Sequence, residues 1–256
     1  WVGPEKNNGY IPGLHAFDWR GYWDYGTGSL GDMGCHLMDV PIKALGLYDP
    51  YSVEASISRQ PYVRSYTPAD VSNSAVPASS IVTYRFNPSK LNDSKVKFTW
   101  MDGGLRPSQP DQIKEDIGLG GILIYGEKGI ISCNDYGTRA KLYINGELVE
   151  KGQFDGIPEN SFNHYSSWVE AMVDGYGSVK HKNLNSGFDV AGPISEVVLL
   201  GNVAVRSGLL KRSPRSNVYI GRKRLDYDSK NMVITNFDQA NQFLTREYRK
   251  GWELNI

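Results

Sequence analysis

The chain has 256 residues, 40% of them hydrophobic, and carries 28 basic and 28 acidic side chains, so its net charge is zero. That length supports one large domain with a real core, or two small ones. No charge block is longer than Gly-Arg-Lys-Arg at 221–224, which excludes a nucleic-acid or membrane-surface role driven by net field.

Two cysteines, Cys35 and Cys133, make no disulfide framework and are expected as free thiols. No run of eighteen apolar residues occurs, so no membrane span is expected. The chain opens on Trp-Val-Gly-Pro without an initiator Met, as a piece of a longer protein would, and this leaves the compartment open.

Residues 1–25 mix Gly, Pro and aromatic residues without a period and read as an irregular lead-in. A helical pattern follows from Gly26 to Lys43. Leu30, Met33, Leu37, Ala44 and Leu45 form its apolar stripe. Asp32, His36, Asp39 and Lys43 share the opposite face. Ser29 is the expected N-cap, and Pro41 predicts a break near Val40.

Strands come next. Ser52–Ser58 alternates in the manner of a half-buried strand, residues 61–78 read as a loop, and 80–86 and 95–101 read as two further strands. Gly103–Gly118 is a polar loop. Hairpins are expected at 121–133 and at 140–149, the second turning on Asn145-Gly146.

Helices then return. Phe162, Tyr165, Trp168, Val169, Met172 and Val173 mark one helix face, with Asn160 or Ser161 as its cap. Val190–Val205 is the longest apolar helix, closed by Gly208. Tyr219-Ile220 and Arg224–Tyr227 predict a short strand pair, and Asp238 is expected to cap a last helix through Tyr248. The fold class is therefore α+β: a large open, mostly antiparallel or mixed sheet with helices packed on one face and no Rossmann domain, read as a single domain over 1–256. Val53, Ala55 and Ile57 are expected to lie on an open sheet face and pair with a second copy, making a homo-oligomer.

The chemistry centres on Asp32 and His36. An acid and an imidazole one helical turn apart can hold a substrate hydroxyl, bind a metal or pass a proton. The bland alternative makes Asp32 a first-turn capping acid and His36 a half-buried structural histidine. Asp39 would extend the pair to three metal ligands, but it points a turn beyond, and no metal is expected. The aromatic residues just upstream, Phe17, Trp19, Tyr22, Trp23 and Tyr25, suit a carbohydrate-binding wall or ordinary packing. Gly26-x-Gly28-x-x-Gly31 matches the dinucleotide fingerprint as a string, yet it follows Arg-Gly-Tyr-Trp-Asp-Tyr rather than a buried strand.

Residues 17–39, Phe-Asp-Trp-Arg-Gly-Tyr-Trp-Asp-Tyr-Gly-Thr-Gly-Ser-Leu-Gly-Asp-Met-Gly-Cys-His-Leu-Met-Asp, resemble the opening of the C-terminal domain of the Gfo/Idh/MocA family of sugar and polyol oxidoreductases. Stretches at 96–104, 191–204 and 241–252 agree with it. The resemblance implies a substrate-binding and oligomerising domain, partnered by an N-terminal Rossmann domain that this chain does not contain. It places Asp32 and His36 on the family's Asp-x-x-x-His pair, with His36 accepting the proton of a sugar hydroxyl and Asp32 orienting that hydroxyl or the imidazole. Trp19, Arg20, Trp23 and Asp24 are the candidate substrate contacts. NAD or NADP would serve the full-length protein, and none is expected on this chain alone. The pair is expected to face a cavity left for the nucleotide-carrying partner. Two alternatives remain: glycosidic cleavage by transient oxidation, which uses the same pair, and a non-catalytic carbohydrate-binding module.

Overall fold

The computed structural model describes residues 3–6, 9, 10, 12, 14, 16–58, 74–149 and 163–254. The fold is α+β, with two antiparallel sheets. The larger sheet holds β1 (Pro50–Ile57), β2 (Ser80–Phe86), β3 (Val96–Met101), β8 (Leu225–Asp228) and β9 (Val233–Ile234), in the order β3-β2-β1-β8-β9. The smaller is a meander of β4 (Ile122–Tyr125), β5 (Ile130–Cys133), β6 (Lys141–Ile144) and β7 (Glu147–Leu148). The expected single large sheet is thus divided. The polar segment between β3 and β4 separates the two halves, and the smaller sheet has its own core of Ile113, Ile130 and Tyr143.

The main core lies on one face of the larger sheet. Val53 pairs with Tyr84 and Ala55 with Val82 across β1 and β2, while Phe98 and Trp100 continue the row on β3. Directly paired residues point to the same side of a sheet, so these side chains form one apolar layer. A twenty-residue helix, α5 (Phe188–Ser207), covers it and packs on β1, β2 and the first helix, α1 (Gly28–Leu37). Gly201 is needed there, because a side chain at that position would overlap the Tyr84 hydroxyl. By length and composition α5 could cross a bilayer, at a mean hydropathy of 1.4, but half of it is buried inside this fold, where it serves as the core helix.

Val53 is therefore fully buried, and the residues expected to mate with a second copy belong to the helix-covered face. The opposite face carries Ser52, Glu54, Thr83, Arg85, Lys97 and Thr99. Period-two alternation marks two faces but does not say which one a helix will cover.

Three more expectations change. Leu225 and Asp226 pair with β1, and Tyr227 with β9, whereas Tyr219 bridges Lys211. The last helix is only a 3-10 segment, η2 (Asp238–Phe243). Its Asn241 side chain accepts from the Ile234 amide at 2.8 Å and donates to the Ile234 carbonyl at 3.1 Å, tying the segment to β9 as an extra strand would. The helix expected from residues 162–173 is α3 (His164–Asp174), capped by Asn163, whose side chain accepts from the Ser166 amide. The expected cap residues Asn160 and Ser161, and most of the 61–78 loop, lie outside the described residues. Helix α3 packs on the short α4 (Val179–Lys182), and its apolar row stands exposed, from Val169 at 51% to Tyr165 at 82%.

Candidate functional site

The site grows from the way the chain enters α1. Residues 18–21 form a single 3-10 turn, η1, and α1 begins at Gly28 behind Thr27. Ser29 is thus already inside the helix, and the first turn holds no acid. Asp32 lies beyond that turn and caps nothing, so the helix-capping explanation for it falls away. The helix breaks at Met38, where α2 (Asp39–Leu45) takes over, close to the break expected from Pro41. The buried stripe is Leu30, Gly34, Met38, Pro41 and Ile42, while Ala44 is exposed. Gly34 shifts the stripe: without a side chain it lets α1 press against Val198 of α5.

This packing turns Asp32 and His36 to the exposed side. Arg20 donates from Nη1 to Asp32 Oδ2 at 2.9 Å and from Nε to the Phe17 carbonyl at 3.0 Å. Its guanidinium also lies 3.9 Å from the Phe17 ring centre and 5.3 Å from that of Trp19. A planar cation held on its face and its edge fixes the carboxylate it grips. Both rings carry the Arg20 guanidinium, while Phe17 remains 66% exposed. Asp32 Oδ1 has no partner among the described residues. His36 meets the edge of the Tyr136 ring at 5.5 Å, with neither imidazole nitrogen hydrogen-bonded among the described residues.

Tyr136 was not identified by the sequence reading. It comes from the β5–β6 turn of the smaller sheet, where Asn134 Oδ1 accepts from the Tyr136 amide at 3.2 Å, the Thr138 amide at 2.9 Å and the Thr138 hydroxyl at 3.0 Å. Gly137, at φ +67°, sits where any side chain would overlap Val40 of α2. The turn docks on α2, just past the helix that bears His36, and brings Tyr136 to the imidazole. Asn134-Asp-Tyr-Gly is a legible turn signal, but nothing in the sequence places it against residue 36.

The remaining candidates part company. Trp23 and Asp24 line a cleft of about 770 Å³ between α5, the entry to α1 and residues 242–249, and neither Asp32 nor His36 lines it. The pair stands on the exposed face of α1 and does not line this cleft. Asp32, His36 and Asp39 do not form a ligand set either. Asp39 pairs with Lys43 at 3.3 Å and Asp32 with Arg20, and no cluster of three metal-binding side chains occurs among the described residues.

Residues 1–63 match the family model for the oxidoreductase family C-terminal alpha/beta domain of the Gfo/Idh/MocA type. Over this segment the chain is similar to the C-terminal domain of that family. The matched segment contains Trp19, Arg20, Trp23, Asp24, Asp32 and His36, while Tyr136 lies outside it. No curated protein matches the chain.

The Gly26-x-Gly28-x-x-Gly31 string is not a dinucleotide fingerprint. A side chain at Gly26 would overlap the Arg20 backbone, one at Gly28 would overlap Val76, and one at Gly31 would overlap Thr27. Close packing accounts for all three glycines, and no strand precedes them among the described residues.

Proposed function

We propose that this Gfo/Idh/MocA domain is the substrate-binding half of an NAD(P)-dependent sugar or polyol oxidoreductase, with His36 as the proton acceptor and Asp32 as the group that holds the reacting hydroxyl. The nicotinamide would be held by a Rossmann partner domain and would supply the hydride acceptor. The observation that carries the reading is the exposed Asp32/His36 pair inside the family-matched segment, with Asp32 gripped by Arg20.

The chemistry follows from what each atom has free. Arg20 occupies Oδ2 of Asp32, which leaves Oδ1 to accept from a substrate hydroxyl. His36, one helical turn away, has its nitrogens unengaged among the described residues and can take the proton as the C–H bond gives up its hydride. Tyr136 borders the imidazole and limits how a ring can approach it. A homo-oligomer and a carbohydrate substrate belong to the same reading.

The test uses the full-length protein with NAD or NADP and a panel of sugars and polyols, followed by absorbance of the reduced nicotinamide. The wild type reduces the cofactor with at least one of them, and His36→Ala lowers turnover by about 100-fold or more, the usual size of a lost general base. Undiminished turnover overturns the assignment. Release of a free aglycone without net cofactor reduction would move the same pair to glycosidic cleavage.

A further inference from the structure

The cleft beside α1 has a chemical character of its own. On its α5 wall sits Arg206, about half buried. Its guanidinium lies 4.6 Å from the Phe243 ring centre and 5.4 Å from that of Trp23. Among the described residues no carboxylate lies within salt-bridge reach of it. Asp24 and Glu5 are near enough to act on it through space, while burial and the Arg246 charge oppose its ionised form.

The other cleft charges are mostly engaged. Glu5 is paired with Arg246, and Glu196 accepts from the Tyr227 hydroxyl at 2.8 Å. Asp24 and Glu247 are exposed at the rim. One turn of α5 before Arg206, Asn202 is 5% exposed and lines the cleft, and its Nδ2 has no partner among the described residues. The Trp23 Nε1, on the wall formed by the entry to α1, is also buried without a partner among them.

A half-buried cation costs free energy unless an anion meets it, and buried N–H groups left unpaired add to that cost. Here the cation is ordered by aromatic rings, and the two buried side-chain groups left unsatisfied on the cleft walls, Trp23 Nε1 and Asn202 Nδ2, are both donors, while the Asp24 and Glu247 carboxylates stay at the exposed rim. Such a wall matches an acceptor-only group, and a planar guanidinium matches the two oxygens of a carboxylate. Thr27 and Gln242 on the cleft walls suit hydroxyl groups on the rest of such a ligand.

We propose that this cleft is a binding site for a small carboxylate-bearing ligand of the sugar-acid class, anchored by Arg206 with Asn202 as a supporting donor. The site is separate from the Asp32/His36 face, and its failure would leave the reading of that pair standing.

Calorimetric titration of the full chain tests this with D-glucuronate, neutral D-glucose and inorganic phosphate. Glucuronate is expected to bind at least about tenfold tighter than either of the others. Arg206→Gln abolishes the preference and Arg206→Lys retains part of it, with thermal melts confirming that each variant is folded. If Arg206→Gln does not fold, loss of the preference in Asn202→Ala is the second reading. Equal binding of glucose and glucuronate overturns the site, as does a glucuronate preference that survives in folded Arg206→Gln. Phosphate binding as tight as glucuronate overturns the carboxylate assignment.

Discussion

Arg20 and Asp32, twelve residues apart, meet at 2.9 Å while the Arg20 guanidinium lies on the Phe17 ring. The contact joins the 3-10 turn before α1 to the outer face of the helix. Both partners are partly exposed, at 29% and 41%, so the ion pair contributes little to stability, of order 0.2–1 kcal/mol. Its value is geometric.

Arg20→Ala in the full-length enzyme is therefore expected to leave the melting temperature within about 2–4 °C of wild type. It should lower kcat/KM by about tenfold, because Asp32 loses the group that aims it. Arg20→Lys should not restore the rate, since an ammonium cannot use face and edge together. Steady-state kinetics beside a thermal melt separates these outcomes, and a large loss of stability with unchanged kcat/KM would make Arg20 a purely structural residue.

Gly137→Ala should disturb the contact between His36 and Tyr136 from the far side. The substitution meets both a left-handed backbone at φ +67° and the Val40 side chain. The expected cost is about 1–3 kcal/mol. The loop should retreat from α2 and carry Tyr136 away from the imidazole. The His36 ring-proton NMR signals report this directly, because they should lose the ring-current shift from Tyr136. Unshifted signals in the variant would show that the turn is not what holds that ring.

Tyr84 governs the alkaline limit of stability. Its hydroxyl is fully buried, and burial pushes the phenol far above its ordinary value of about 10. Below that ordinary value the phenol is neutral in both states, and its contribution is fully present. Above it the unfolded chain ionises while the folded protein keeps the proton, so stability falls as pH rises. The slope is about 1.4 kcal/mol per pH unit for each such tyrosine. Burial and the Glu196 partner raise Tyr227 in the same direction. Tyr84→Phe removes the buried hydroxyl and should flatten the loss of stability above pH 10. Urea denaturation at pH 8 and at pH 10.5 measures the difference, and identical pH slopes for variant and wild type would contradict the account.

Local signals in the chain were legible where a local cause sufficed. Asn145 and Gly146 both adopt positive φ and turn the β6–β7 hairpin, as an Asn-Gly pair predicts. The strands β1 to β5 and the core helix α5 also lie where periodicity puts them. What could not be read was choice among partners. Alternation in β1 is compatible with either face covered, and α5 chose Val53. The apolar row of α3 was read correctly as a row, but it remains exposed rather than joining the core. Asp238 begins a turn that stops early because Asn241 spends its side chain on β9. At the site, spacing found Asp32 and His36, and the likeness added Arg20. Tyr136 meets His36 and Arg206 meets Trp23 through tertiary contacts a hundred or more residues apart along the chain, and no spacing rule could find them.

The central claim is that the His36 imidazole takes the substrate proton. Chemical rescue tests it most directly: turnover of full-length His36→Ala measured with increasing imidazole in solution. The account predicts a rate at least about 100-fold below wild type that rises with imidazole concentration, with KM for the sugar little changed. A His36→Ala enzyme that turns over at the wild-type rate without imidazole would contradict it.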